Sequence, residues 1–341
     1  MRVLLAIASL LVAAAPPLTS QPVPHRVDYL GTEGPGAGKS IVFVAGDHEY
    51  RSEEILPAMA RILAQRYGFS CTVLFTLDEE GFIEPGSSNI AGMDALGSAD
   101  LVVVGLRFQD FPHDQMQHLV DYVERGGPVL GIRTSTHAFR IPEGPYRKYS
   151  WDYDGADYEG GFGEQVLGET WVGHYGTNHE QSSRLQLEEA QAGNPILRGV
   201  ADLHVQSGGY NAVPPDDVTV LARGVVLNGM SFDDPPDPEK DVLPVVWTRT
   251  HGHGGRVFTT THGASEDFVN PGFRRLLING ALWALGLEDE IRPDSNVDFV
   301  GPYHPARFAF DGYRIGVRPS DLAGWDSPIM SPDKPTERTE Q

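Results

Sequence analysis

Cysteine is almost missing. Cys71 is the only one in 341 residues, which excludes an intrachain disulfide and a thiolate metal cluster, and its apolar neighbours predict a buried strand position. Basic residues are scarce as well. Lys and Arg number 26 against 47 Asp and Glu, a net charge of −21, and this argues against nucleic acid as a partner, because a phosphate backbone needs clustered cations. The one long apolar run is at the N-terminus. Residues 3–15 follow Met1-Arg2 and end in small side chains, the layout of a secretory signal. The run is short for a membrane anchor, and Pro16, Pro17, Pro22 and Pro24 would break any helix after it. The expectation is a signal peptide over residues 1–20 and an exported protein, periplasmic or extracellular, without stable membrane insertion.

Glycine (39) and proline (26) are abundant, too abundant for a helical bundle and suited to an α/β fold with elaborate loops. Apolar runs at residues 40–45, 70–75, 100–105 and 129–132 read as strands, with further strands at 218–222, 245–248 and 256–260. Ile55, Met59, Ile62 and Leu63 recur at helical spacing, as do Met116, Leu119, Val120 and Val123. A third helix starts at Asn270-Pro271, a cap followed by proline at the first helical position, and stops at Gly286. Strands alternating with helices predict right-handed crossovers on a mostly parallel sheet. From residue 288 to 341 the chain is a Pro-rich extension, expected to wrap the domain and to end in a disordered tail from about Ser327. Gly36-Ala37-Gly38-Lys39-Ser40 imitates a phosphate loop, but Glu33 stands where its first glycine belongs and a strand follows instead of a helix.

Ligands of open parallel sheets gather beyond the carboxyl ends of the strands. There the sequence delivers Asp47, His48, Glu49 and Arg51 after the first strand, Arg107 after the third, Arg133 to His137 after the fourth, and His262 after a late one. Gly131-Ile132-Arg133-Thr134-Ser135 has the outline of a nucleophile elbow. Its central slot, however, holds a permanent cation. Amidotransfer, which needs a thiolate activated by histidine, is therefore excluded, and Ser135 sits two places past the elbow.

Four blocks resemble the ThuA-like family, named for trehalose utilisation: residues 46–54 (Gly-Asp-His-Glu-Tyr-Arg-Ser-Glu-Glu), Arg133-Thr134-Ser135-Thr136-His137-Ala138-Phe139, residues 168–174 (Gly-Glu-Thr-Trp-Val-Gly-His) and residues 273–280. The resemblance spans residues 40–287. It implies a flavodoxin-like three-layer sandwich with a mostly parallel sheet, similar to class I glutamine amidotransferases, and a link to sugar metabolism.

The residues permit several chemistries. Arg133 at a helix start suits an oxyanion or carbonyl holder, or else a structural cation paired with an acid such as Asp47. His137, Glu49 or His48 could serve as the base beside it, and the expected catalytic set is His137, Glu49 and Arg133. Asp47, Arg51, Arg107, Trp151 and Trp171 are candidate substrate-binding residues. His48, His174 and His262 could hold a divalent metal such as zinc, whereas His251-Gly252-His253 reads as a hairpin tip. The aromatic and acidic run from Tyr149 to Glu164 adds carbohydrate-like chemistry, apolar faces with hydrogen-bonding carboxylates. The expected partner is a small carbohydrate, acted on as a sugar or keto-sugar by isomerisation or hydrolysis. The alternative is a non-catalytic carbohydrate-binding or interaction protein on an amidotransferase-like fold lacking the nucleophilic cysteine. Oligomeric state is not legible.

Overall fold

The computed structural model describes residues 25–330. The signal-peptide expectation for residues 1–20 and the tail beyond Met330 lie outside the described residues.

Among the described residues twelve strands form, in chain order β1 (Arg26–Leu30), β2 (Ser40–Gly46), β3 (Ser70–Phe75), β4 (Leu101–Leu106), β5 (Val129–Ile132), β6 (His174–Tyr175), β7 (Ser183–Leu187), β8 (His204–Val205), β9 (Gly209–Tyr210), β10 (Thr219–Val226), β11 (Leu243–Thr250) and β12 (Arg256–Thr260). Ten of them make one sheet in the order β1-β3-β2-β4-β5-β12-β11-β10-β7-β8, and β6 pairs separately with β9. The five strands from β3 to β12 run parallel. Antiparallel strands extend the sheet at both ends.

The parallel strands are continuous apolar runs because both faces are covered; all six residues of β4 are buried. Alternate side chains feed two cores. Ile41, Phe43 and Ala45 pack with helices α1 (Ser52–Tyr67) and α3 (Pro271–Ala284). Val42 and Val44 pack on the other face with α2 (His113–Glu124) and with Phe139, Tyr149 and Phe162. This is the expected three-layer α/β sandwich. Asn270 caps α3 by accepting the Phe273 N–H at 2.8 Å. His251 lies in the turn joining β11 to β12, where its Nε2 is 3.0 Å from the Gly127 carbonyl oxygen. Cys71 is buried and free.

Helix α1 departs from the amphipathic expectation, since every one of its first thirteen residues is buried. The C-terminal arm explains why. It crosses the outer face of α1, where the buried Arg61 donates to the carbonyls of Leu322 (2.9 Å) and Ser327 (2.7 Å). Residues 327–330, expected to begin the disordered tail, are thus held against the fold, and Ile329 donates its N–H to Pro302 at 3.0 Å. Among the described residues, no helix is long and apolar enough to cross a membrane.

Candidate functional site

Three strand ends and two loops build a polar rim at the carboxyl edge of the sheet. After β2 the chain turns on Asp47, whose Oδ1 accepts the N–H groups of Glu49 (2.9 Å) and Tyr50 (3.3 Å) and whose Oδ2 accepts the Thr134 hydroxyl (2.9 Å). Asp47 therefore ties the loop after β2 to the turn after β5. Arg51 is fully buried at φ 68°, paired with Glu53 at 3.1 Å and donating to the Ala309 carbonyl at 3.0 Å. Both expected substrate contacts are built into the scaffold beneath the rim.

Arg133 follows β5 at φ 51°, so the left-handed turn of an elbow is present with a cation at its tip. The side chain turns inward. Its guanidinium carbon lies 3.9 Å from the ring centre of Tyr50 and 4.7 Å from that of Tyr210, and Nη1 donates to the carbonyls of Thr261 (2.9 Å) and Gly208. Asp47, the acid expected to pair with it, forms no ion pair with it. Asp267 acts on it at one remove, accepting the Ser207 hydroxyl at 2.6 Å, and that hydroxyl lies 3.4 Å from Arg133 Nη1. Burial works against the charge, but Tyr210 and Tyr50 favour it, and the pKa of Arg133 is raised. Ser135 donates to the carbonyls of Val104 (2.6 Å) and Ile132 (2.8 Å). Its hydroxyl is committed to the backbone and is not an available nucleophile.

His137 is buried in an aromatic box, its ring centre 4.9 Å from Phe108, 5.0 Å from Trp171 and 5.6 Å from Tyr210. Trp151 closes the box, 5.7 Å from both Phe108 and Trp171. Burial, then Arg107 and Arg133, hold the pKa of His137 well below the ordinary imidazole value. The indole Nε1 atoms of Trp151 and Trp171 are buried without a hydrogen-bond partner among the described residues. Unpaired buried donors are uncommon in folded chains.

Beside the box, Arg107 Nη1 donates to His48 Nε2 at 2.8 Å, which places the neutral imidazole's proton on Nδ1. Arg107 Nη2 stands 3.4 Å from Glu49 Oε2, an oxygen with no hydrogen-bond partner among the described residues. Burial raises the pKa of Glu49 against the pull of Arg107; burial and Arg107 together lower that of His48. A chain of net charge −21 thus gathers Arg107, Arg133 and Arg140 around one acid–base pair, with Arg140 stacked 3.9 Å over Phe108.

The structure brings Glu49, Arg107, His48, His137, Trp151 and Trp171 together. It does not bring together the three histidines expected to bind metal. His48 is engaged by Arg107, and His174 Nε2 is 3.3 Å from the Tyr50 hydroxyl. His262 is fully buried, with Nδ1 3.3 Å from Ser207 Oγ. Burial is the largest influence pushing both His174 and His262 down to about 4. Among the described residues no three His, Cys, Asp or Glu side chains are grouped to hold a metal ion. The acidic run is also redistributed, because Tyr149 and Phe162 enter the core while Asp152, Asp154, Asp157 and Glu159 face solvent.

Several residues of the site escaped the sequence reading. Tyr50 and Tyr210 sandwich Arg133, and Phe108 at φ 51° forms a wall of the box. From the arm, Phe308 packs on Tyr50 at 5.0 Å and Phe310 on Arg107 at 4.7 Å.

Residues 40–284 match the ThuA family, described as trehalose utilisation. Similar solved structures include a ThuA-like protein from Parabacteroides merdae (12% identity, TM-score 0.44, covering 72% of this chain and 89% of that one). Another, from Bacteroides uniformis, has 13% identity and a TM-score of 0.43, covering 75% and 94%. A cytoplasmic protein from Salmonella typhimurium has 13% identity and a TM-score of 0.40, covering 74% and 99%. No curated protein matches the chain.

Proposed function

This chain belongs to the ThuA family, and from that premise we propose that its rim binds a sugar bearing a ring carbonyl and removes a proton from the adjacent carbon. The observation that supports this reading is Glu49 Oε2, buried and without a hydrogen bond, 3.4 Å from Arg107 beside an aromatic box. A carboxylate whose pKa is raised is a stronger base than one in water. In the step, Glu49 takes the proton, the C–H electrons form a C=C bond, and the carbonyl π electrons move onto oxygen. In this reading Arg107 stabilises that oxyanion, and neutral His137 donates a hydrogen bond to it. Transfer of the neighbouring hydroxyl's proton to that oxygen, and return of the Glu49 proton to the former carbonyl carbon as the carbonyl re-forms on the neighbouring one, completes an isomerisation; re-formation of the original carbonyl with a new C=C bond and departure of the glycosidic oxygen with the C–O electrons, to be protonated, begins cleavage of a keto-glycoside. Trp151 and Trp171 offer aromatic faces and free indole N–H groups to the sugar.

The test is solvent exchange. Methyl glucoside oxidised to its ring ketone is incubated with the protein in D2O and followed by proton NMR. Exchange at the carbon next to the ketone is expected, and Glu49→Gln should slow it by about 10²–10⁴-fold while the sugar still binds. Binding without exchange in the wild-type protein would favour the non-catalytic carbohydrate-binding reading, which the cation in the nucleophile's place at residue 133 supports. No binding would remove both.

Two further expectations have their own measurements. Export, supported by the sequence of residues 1–20, requires a mature N-terminus beyond the apolar run when the protein is recovered from outside the cytoplasm. A divalent ion such as zinc requires stoichiometric metal in protein purified without chelators, lost on His48→Ala.

A further inference from the structure

We infer that the C-terminal arm supplies a second carbohydrate subsite, an aromatic platform at Phe310 for the sugar ring linked to the one held in the box. This rests on the carbohydrate reading above. Phe310 is 58% exposed, whereas Phe308, two residues earlier, is 1% exposed, stacked on His179 at 4.3 Å. The exposed ring is nevertheless firmly presented. It occupies a turn in which Gly312 N–H donates to the Ala309 carbonyl at 3.2 Å and Asp311 adopts φ 51°.

Both neighbours of Phe310 are fastened to the rim. Arg51 Nη2 donates to the Ala309 carbonyl at 3.0 Å, and Asp311 N–H donates to the His48 carbonyl at 2.9 Å. A Cβ at Gly312 would stand 2.6 Å from Arg51 Nη2, so a side chain at that position would push against the buried guanidinium that holds the turn. Core packing does not account for a phenyl ring held in this way at the surface.

Its position does. The ring centre lies 4.7 Å from the guanidinium carbon of Arg107 and 6.0 Å from the ring of His48. Arg107 meets Phe108, a wall of the box, at 4.9 Å. Aromatic surface therefore runs from Trp151, Trp171 and Phe108 across one guanidinium to Phe310, and at Phe310 it opens to water. A pyranose matches such a surface, because its C–H face is apolar and its rim of hydroxyls can reach the charged groups between the rings. Continuity with the box commits the occupant to a ring joined to the first sugar. The platform lies beyond residue 284, where the family match ends.

The test compares two probes by calorimetry, the ring-ketone forms of methyl glucoside and of trehalose. The wild-type protein is expected to bind the disaccharide at least fivefold more tightly, Phe310→Ala to erase most of that preference, and Phe310→Trp to keep it. Equal affinities in the wild-type protein, an undiminished preference in Phe310→Ala, or equal weakening of both probes would overturn the subsite while leaving the carbohydrate reading intact. If the wild-type protein binds neither probe, the carbohydrate reading fails and the subsite with it.

Discussion

The guanidinium carbon of Arg133 lies 3.9 Å from the ring centre of Tyr50, so the cation at the elbow is held by an aromatic face and not by an acid. This relationship joins the β2 loop to the β5 turn. Tyr210 brings in the loop containing β9 from the opposite side.

Arg133→Met keeps much of the volume and removes the charge, leaving the Thr261 carbonyl without its 2.9 Å donor. The expected cost is about 2–4 kcal/mol, from a lost charge-assisted hydrogen bond and lost cation–π contacts. Arg133→Lys should recover little, because a compact ammonium cannot stack between two rings and reach both carbonyls. Urea unfolding measures both, and a methionine variant as stable as the wild-type protein would show that the cation has no structural role.

The parallel strands were legible because each is an apolar run bounded by turn residues, and β3, β5 and β12 fall on the expected residues. The placement of Arg133 at a strand end was legible for the same reason. Its direction was not, since an inward turn depends on Tyr210 in the two-residue strand β9, too short to carry any periodicity. β1 was missed because it offers only Val27 and Tyr29 as buried positions. Phe310 was hidden for a different reason: the arm has no repeat of its own, and its course is set by side chains of the folded domain such as Arg51, Glu54 and Arg61.

Glu169 accepts the Val213 N–H at 2.9 Å, and burial pushes its pKa up to about 7. An acid whose folded pKa is raised contributes stability fully below its unfolded value, near 4.5, and loses it as pH climbs through the folded value. The window is therefore about pH 4.5 to 7, worth up to about 3 kcal/mol. Glu169→Gln keeps an acceptor for Val213 and cannot ionise. Between pH 5 and pH 8 the unfolding midpoint of the wild-type protein should fall relative to that of the variant, because only Glu169 distinguishes the two titrations. A constant difference between the two proteins at both pH values would show that Glu169 ionises at its ordinary value.

Arg107 sits between two groups that it shifts in one direction by charge, although burial moves them oppositely. It disfavours protonation of His48, adding to burial, and it stabilises ionised Glu49 against burial. Removing the cation in Arg107→Met should therefore raise both pKa values, returning His48 toward 6.5 and carrying Glu49 further from its ordinary value. NMR of labelled His and Glu side chains reads each titration separately. In the exchange reaction the same substitution should move the acidic limb of the rate profile to higher pH, because Glu49 must be ionised to act as the base. It should also lower the maximal rate, because the oxyanion loses its charged donor. A variant with a lower rate and an unmoved limb would leave Arg107 its contact with the substrate but take from Glu49 its role as the titrating base. A Glu49 pKa that fell would contradict the 3.4 Å pairing itself.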